Sequence, residues 1–130
     1  MLHAQNQYQN TKVQTSSPGE LTLMLYNGCI RFIKLGIIAI KENDVKNKHI
    51  NFIKAQNIVD ELQATLDMNY EISHNLFSLY DFIQSKLFDA NAKMNEAAAT
   101  ESLDLITELR DTWAEALKLV KHSDKVASNT

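Results

Sequence analysis

The sequence predicts an all-α protein, an antiparallel up-down four-helix bundle with a flexible N-terminal arm. Its 130 residues contain three Gly and one Pro, too few for a sheet-rich fold with many tight turns. Apolar residues recur at helical spacing in four segments that very short polar breaks separate. Four helices joined by such short connections pack antiparallel to one another.

The arm is predicted over residues 1–16. This stretch is rich in Gln, Asn, Thr and Ser, and such a composition buries too little apolar surface to hold a fixed structure by itself. Its few apolar side chains include Leu2, Tyr8 and Val13.

The first helix is predicted over residues 18–42, where the signals that start a helix are complete. Ser17 can cap it, Pro18 suits its first position, and Glu20 follows the cap by three residues, as a capping box requires. Its apolar residues span roughly 220°, although a surface helix needs a stripe of only about 100°. The surplus predicts either contact with two neighbouring helices or a partner that covers it.

Three further helices follow, each preceded by residues that favour a turn or a helix cap. These boundary residues are Asn43-Asp44, Asp67-Met68-Asn69 and Asn95. The predicted helices cover residues 45–66, 70–92 and 96–121. One bundle domain therefore covers residues 17–121, and a flexible polar tail is predicted over residues 122–130.

The second helix has apolar residues outside its predicted core stripe. At about 100° per residue, Ile50 and Ile53 lie nearly opposite that stripe, beside Asn57. The fourth helix is simpler, because one face carries an apolar stripe that ends at Val120 and the opposite face is acidic. Ile50 and Ile53 are therefore candidates for a surface that contacts another molecule.

The third helix carries three phenylalanines beside its core stripe, which begins at Ile72. Phe77 and Phe88 fall on one flank of the stripe, and Phe82 falls on the other. Exposed together, such rings would favour aggregation. Apolar grooves that bind an amphipathic partner helix explain them better.

Composition excludes several classes of function. A net charge of −3 and a pI near 5.8 give no electrostatic reason to expect nucleic acid, and a solvated helix face explains Lys46, Lys48, His49 and Lys54. No secretory signal precedes the helices, and the most apolar stretch, Ile30 to Ile40, is too short and too charged for membrane insertion. The predicted location is the cytoplasm.

Chemistry for catalysis is also missing, so the sequence predicts a protein that is not an enzyme and has no cofactor. Cys29 is the single cysteine, and its place on the apolar arc predicts an inert side chain. Glu71 and His74 match the Glu-x-x-His spacing of di-iron bundles. Those sites need the motif twice, together with glutamates from two other helices, so no metal site is expected.

Four segments follow one another in a distinctive order. Residues 15–28 read Thr-Ser-Ser-Pro-Gly-Glu-Leu-Thr-Leu-Met-Leu-Tyr-Asn-Gly and follow a polar arm that contains Tyr8. Further segments lie at residues 53–62, at residues 80–82 and at residues 109–113, the last reading Leu-Arg-Asp-Thr-Trp. In this order and spacing, the chain resembles the FliS family of flagellin-specific export chaperones.

The resemblance implies a chaperone that binds the C-terminal segment of flagellin in the cytoplasm, prevents its premature polymerisation and delivers it to the flagellar type III export apparatus. It also implies that the region around Tyr8 covers part of the client surface until flagellin binds. The expected flagellin-binding residues are Tyr8, Leu21, Leu25 and Tyr26 from the matched motifs, and Ile50, Ile53, Asn57, Phe77, Phe82 and Phe88 from helical periodicity.

Two alternatives remain open at this point. A di-metal or redox bundle is the first, motivated by Glu71 and His74. The second is an assembly protein whose surplus apolar surface makes a homo-oligomer. The chaperone hypothesis instead expects a monomer or a weak homodimer.

Overall fold

A computed structural model describes residues 17–128, and its described part is all-α, as predicted. The predicted arm, with Tyr8, lies outside the described residues. The four helices are α1 (Pro18–Lys41), α2 (Val45–Ala64), α3 (Glu71–Lys93) and α4 (Glu96–Ser128).

Side-chain caps begin three of the four helices, at positions that the sequence predicts. Ser17, Asp44 and Asn95 each accept a hydrogen bond at a side-chain oxygen from the backbone N–H three residues later, at 3.2, 3.1 and 3.1 Å. These bonds satisfy N–H groups that have no partner inside the helix. The caps therefore account for where α1, α2 and α4 start.

The helices form a four-membered ring in which α1 packs beside α2 and α4, and α3 packs beside the same two helices. Contacts between distant residues fix the antiparallel directions. The Trp113 indole Nε1 donates to the Gly19 carbonyl at 2.8 Å, whereas Lys41 pairs with Glu96 at 3.3 Å at the other end of α1. The core inside this ring is buried apolar side chains from all four helices, among them Ile33, Phe52, Val59, Ile83, Leu87 and Ile106.

Close packing between α1 and α2 explains the wide apolar arc of α1. A Cβ atom added at Gly36 would lie 2.6 Å from the Phe52 ring, and one at Gly28 would lie 3.2 Å from Ile58. The glycines thus let α2 approach α1 on one side, while α4 covers the other side. Two neighbouring helices, not a partner alone, bury most of the arc.

The predicted boundary of α4 at residue 121 is wrong, because the helix continues to Ser128. No Gly or Pro follows Gly36 in the chain, so nothing in the polar segment interrupts the helical backbone. The other helix ends differ from the predicted ones by one or two residues, as helix ends commonly do.

Two large apolar residues placed in the predicted core stripes are exposed instead. Ile72 at the start of α3 is 63% exposed, and Val120 near the end of α4 is 56% exposed. Both point in the core direction of their helices, but they lie at the end of the bundle, where neighbouring helices no longer cover them. Helical periodicity gives the direction of a side chain and not the place where its neighbours stop.

Candidate functional site

Five of the predicted partner-binding residues are large apolar side chains that reach the surface. Their exposed fractions are 37% for Ile50, 39% for Ile53, 39% for Phe77, 44% for Phe82 and 61% for Phe88. The polar candidate, Asn57, is also exposed. These six positions therefore remain available to another molecule.

Tyr26 is a correction to the predicted site, because it is buried in the core at 3% exposure. Its hydroxyl shares a 2.5 Å hydrogen bond with the hydroxyl of Tyr80, and burial raises the pKa of both phenols. The sequence indicated an apolar arc at Tyr26 but gave no sign of a hydroxyl partner 54 residues away. In this structure the residue stabilises the bundle, and its side chain presents almost no surface to a partner.

The remaining motif-matched residues lie at the start of α1. Leu21 and Leu25 are partly buried, and Leu25 packs against the core cluster. Tyr8 lies outside the described residues. The part of the predicted site that came from the motifs is therefore less exposed than the part that came from periodicity.

Polar side chains join α2 to α3 along their shared seam. The Gln63 amide donates to Asp81 at 2.8 Å, and the Gln84 amide donates to the backbone carbonyl of Gln56 at 2.9 Å. The Asn91 amide completes the series by donating to the His49 ring at 3.0 Å. These contacts fix which residues of the two helices stand at the same level.

Because of these hydrogen bonds, Ile53 of α2 and Phe88 of α3 lie at the same height along the bundle, across the seam from each other. On α2, Ile53 lies midway between His49 and Gln56 in sequence, and on α3, Phe88 lies between Gln84 and Asn91. Since the two pairs of flanking residues are bonded to each other, Ile53 and Phe88 stand opposite one another. Phe77 lies further along the same flank, where its backbone carbonyl accepts from Gln63 at 3.3 Å. We call Ile53, Phe77 and Phe88 the α2/α3 groove.

Phe82 lies on the opposite flank of α3, as its helical position predicts. The Lys86 ammonium lies 5.3 Å from the centre of the Phe82 ring and pairs with Glu101 of α4 at 3.2 Å. The candidate residues thus surround α3 on two sides and do not form one patch.

Lys48 contradicts the predicted solvated face, because it is 7% exposed. It lies on the core side of α2, and its ammonium donates to the Asn91 carbonyl in the last turn of α3. Carbonyl groups at a helix C-terminus lack partners inside the helix and attract a cation. Lys48 therefore caps α3 from the neighbouring helix.

Two exposed apolar residues of α1 were missed as site candidates, Leu35 at 37% and Ile38 at 50% exposure. With Arg31 they follow the spacing i, i+4 and i+7 of one helix face. That spacing could have identified them. The outward-facing residues were not recognised, because in the wide apolar arc of α1 they adjoin residues that face the core.

The described residues offer little chemistry for catalysis or metal binding. Burial raises the pKa of Cys29 to about 12, so its thiol stays protonated at neutral pH. The His74 ring bonds the Met68 carbonyl at 2.9 Å. Between residues 17 and 128, no three His, Cys, Asp or Glu side chains come together as metal ligands.

By length and composition, α1 is the one helix in the described part of the chain that could cross a membrane. Core helices of soluble proteins pass the same test. Here Tyr26, Cys29, Ile30 and Ile33 of α1 belong to the bundle core.

Comparison with known proteins gives one consistent result. The family model described as "Flagellar protein FliS" matches residues 1–120. The flagellar secretion chaperone FliS of Bacillus subtilis is 44% identical over 111 residues, which cover 85% of this chain and 84% of that protein. Its counterpart in Salmonella typhimurium is 33% identical over 105 residues, covering 78% and 77% of the two chains.

A solved structure shares the fold. The crystal structure of a bacterial flagellar chaperone matches with a TM-score of 0.72 at 21% sequence identity, covering 90% of this chain and 97% of that one.

Proposed function

This chain belongs to the FliS family of flagellar secretion chaperones, which are not enzymes, and we propose that it binds the disordered C-terminal segment of flagellin. By doing so in the cytoplasm, it prevents premature polymerisation and delivers the subunit to the flagellar type III export apparatus. It binds neither nucleic acid nor the membrane interior and requires no cofactor. Ile53 and Phe88, opposite each other on the surface of the α2/α3 groove, are the observation that carries this proposal.

The α2/α3 groove suits a helix that presents apolar side chains at successive turns. Its three apolar residues lie along a seam whose other contacts are polar, so a client helix would find separated apolar anchors between hydrogen-bonding groups. Anchors of this kind are the usual way in which a groove recognises an amphipathic helix. Each aromatic ring that the client covers contributes about 25 cal/mol per Å² of apolar area removed from water.

A client that folds as it binds also explains why the candidates lie on several sides of the bundle. Phe82 faces α4, the α2/α3 groove lies on the other flank of α3, and Ile50 and Asn57 lie on the outer side of α2. A rigid partner would reach one of these surfaces, whereas a disordered segment can wrap around them. Its ordering costs part of the binding free energy, which favours later release at the export apparatus.

For the region around Tyr8, the family resemblance supports a covering role. We propose that it occupies part of the flagellin-binding surface in the free protein, near Leu21 and Leu25, and leaves when the client binds. Leu21 and Leu25 then contact the client.

The first test is binding of a flagellin C-terminal peptide. Titration calorimetry should show a saturable complex, and circular dichroism should show more helix in the mixture than the sum of the separate spectra. Absence of binding, with spectra that simply add, would overturn the proposal.

Substitution of Ile53 by Glu tests the groove itself. Ile53→Glu should weaken flagellin binding by at least about tenfold, because it places a charge in an apolar contact. Ile53 is already part exposed, so the free energy of unfolding should change by less than about 1 kcal/mol. Calorimetry and urea unfolding measure the two effects.

Leu119→Glu is the matched control, because Leu119 is 61% exposed on α4 and lies outside the groove. This variant should bind flagellin normally. Equal loss of binding in both variants would show that net charge, and not the groove, determines affinity. Sedimentation of the free protein should show a monomer or a weak homodimer; a stable higher oligomer would favour an assembly function.

A further inference from the structure

One surface of the bundle combines exposed apolar side chains with an excess of positive charge. Between Arg31 and Lys54 the sequence has six Lys or Arg and two Asp or Glu, although the whole chain has 13 and 16. The rest of the chain therefore has seven basic and 14 acidic residues. Of the six basic residues in the segment, Lys48 is buried and Lys41 pairs with Glu96, so four contribute to the positive charge of this surface. The basic segment covers the second half of α1 and the first half of α2.

Two cations of this segment lie over an aromatic ring at the boundary between α1 and α2. The Arg31 guanidinium is 5.5 Å and the Lys54 ammonium 5.2 Å from the centre of the Phe32 ring. Within residues 17–128, neither cation makes an ion pair with a carboxylate. Their positive charge is thus held beside apolar surface and is not neutralised by the bundle.

Apolar residues from both helices adjoin these cations. Leu35 and Ile38 follow Arg31 at i+4 and i+7 on the outer side of α1, and Ile50 precedes Lys54 by one turn on α2. Gly36 of α1 packs against Phe52 of α2, which sets these residues at similar levels. We call Arg31, Phe32, Leu35, Ile38, Ile50 and Lys54 the α1/α2 face.

Neither residues 1–16 nor the acidic side of α4 offers a suitable partner for this face. Residues 1–16 include Lys12 and no Asp or Glu, so they lack the complementary charge. The acidic side of α4, with Glu101, Asp104 and Glu108, has the charge, but no large hydrophobic residue between 89 and 118 is exposed. This part of a second copy would therefore offer carboxylates without large apolar side chains between them, because the exposed Leu119, Val120 and Val126 of α4 all lie beyond it.

From this we infer that the α1/α2 face binds an amphipathic helix of another protein, in which Asp and Glu flank an apolar stripe. The apolar stripe would cover Leu35, Ile38 and Ile50, and the carboxylates would reach Arg31 and Lys54. Apolar contact would supply most of the affinity, while the charges would select acidic partners and orient them. This inference does not depend on flagellin binding, which is centred on the α2/α3 groove and shares only Ile50 with this face.

The test uses two synthetic helical peptides of about 18 residues, with the same Leu and Ile stripe and with flanking positions filled either by Glu or by Lys. Fluorescence anisotropy should show the Glu peptide binding at least about tenfold more tightly than the Lys peptide at low salt, with a smaller difference at about 1 M salt because ions screen the charges. Equal affinity of the two peptides, or binding of neither, overturns the inference.

Variants locate the binding on this face. Arg31→Glu and Lys54→Glu should each weaken binding of the Glu peptide several-fold and strengthen binding of the Lys peptide. Ile38→Ser should weaken both. Lys118→Glu makes the same charge change on an exposed position of α4 and should alter neither affinity.

Two results would count against the inference. One is a Lys118→Glu effect as large as that of Lys54→Glu, which would assign the preference to net charge. The other is self-association in sedimentation that Arg31→Glu abolishes, which would make a second copy the occupant. Flagellin peptide binding, measured on the same variants, separates failure of this inference from failure of the proposed function.

Discussion

The buried hydrogen bond between the Tyr26 and Tyr80 hydroxyls makes both residues part of the core. Each phenol brings a polar hydroxyl into the core, and each satisfies the other through their 2.5 Å hydrogen bond. A buried hydroxyl without a partner costs free energy, whereas a pair replaced by apolar groups leaves nothing unpaired. The two tyrosines should therefore behave as one unit.

Phenylalanine substitutions test this coupling. Tyr26→Phe and Tyr80→Phe should each lower the free energy of unfolding by about 1–3 kcal/mol, because each leaves one buried hydroxyl unpaired. The double variant should lose less than the sum of the two single losses. Urea unfolding of the four proteins gives the interaction energy, and strict additivity would contradict the coupling.

The buried thiol of Cys29 and the buried phenols of Tyr26 and Tyr80 also determine how the free energy of unfolding depends on pH. Burial raises the pKa of Cys29 from 9.0 to about 12, and burial raises the pKa of Tyr26 and Tyr80 above 10.0. Between pH 9 and 12 the unfolded chain therefore releases protons that the folded chain retains, so the free energy of unfolding should fall as pH rises.

Urea unfolding at pH 7, 9 and 10.5 measures this decline. Cys29→Ala is the control and should show a smaller loss between pH 9 and pH 10.5, although it is less stable overall because it leaves a cavity. The same decline in both proteins between pH 9 and pH 10.5 would show that the thiol contributes nothing.

At the scale of helices, the close packing of α1 against α2 depends on glycine residues in α1. Gly36 places backbone against the Phe52 ring, which is completely buried. In an ordinary helix, Gly is less favourable than Ala by about 1 kcal/mol. At position 36 Gly is favoured over Ala instead, because the Phe52 ring occupies the space that the Ala methyl group would need.

Gly36→Ala should lower the free energy of unfolding by about 1–3 kcal/mol, since the Phe52 ring must move to admit the methyl group. Gly28→Ala is the matched comparison, because its nearest neighbour would be the flexible end of Ile58 at 3.2 Å. Thermal and urea unfolding should rank Gly36→Ala as clearly less stable. Greater stability of Gly36→Ala than of the natural protein would contradict the packing.

The last two turns of α4 follow the Lys121–Glu20 pair at the end of the ring. Lys121 pairs with Glu20 at 2.8 Å and lowers the pKa of that carboxyl, whereas all residues from 122 to 126 are exposed. Removing residues 122–130 should therefore change the free energy of unfolding by less than about 0.5 kcal/mol.

Removal of residues 114–130 is the comparison, since it also deletes Leu117, which packs at Gly19, and the Lys121–Glu20 pair. This shorter chain should be clearly less stable in a thermal melt. Equal melting temperatures for the two truncated chains would contradict the assignment of Leu117 and Lys121 to the closed end.

For the molecule as a whole, the motifs that carry the family resemblance contact one another. Trp113 donates to Gly19, Arg110 donates to Asn27 at 3.1 Å, and the Tyr26 and Tyr80 hydroxyls form a further link. These residues therefore hold the bundle together, and the groove that we propose for flagellin lies outside these contacts, although it includes Ile53 of the matched segment 53–62.

The difference between short-range and long-range contacts explains which features of the fold and of the candidate site the sequence alone could predict. Caps and periodicity act locally, so the helix starts at Ser17, Asp44 and Asn95 and the outward positions of the phenylalanines follow from short segments. The burial of Lys48 depends on a carbonyl 43 residues away in the chain, and the burial of Tyr26 depends equally on Tyr80. Contacts between residues so far apart in the chain can be identified only once the packing of the helices is known.

The contact of Glu20 with Lys121 places the beginning of α1 beside the later turns of α4. A bundle whose first and last helices adjoin in this way is suited to circular permutation. A short linker from α4 to α1, with new chain ends in the turn between α2 and α3, would keep every pair of neighbouring helices while changing the order of synthesis to α3, α4, α1 and α2. The order of the helices along the chain is therefore separable from their arrangement in space.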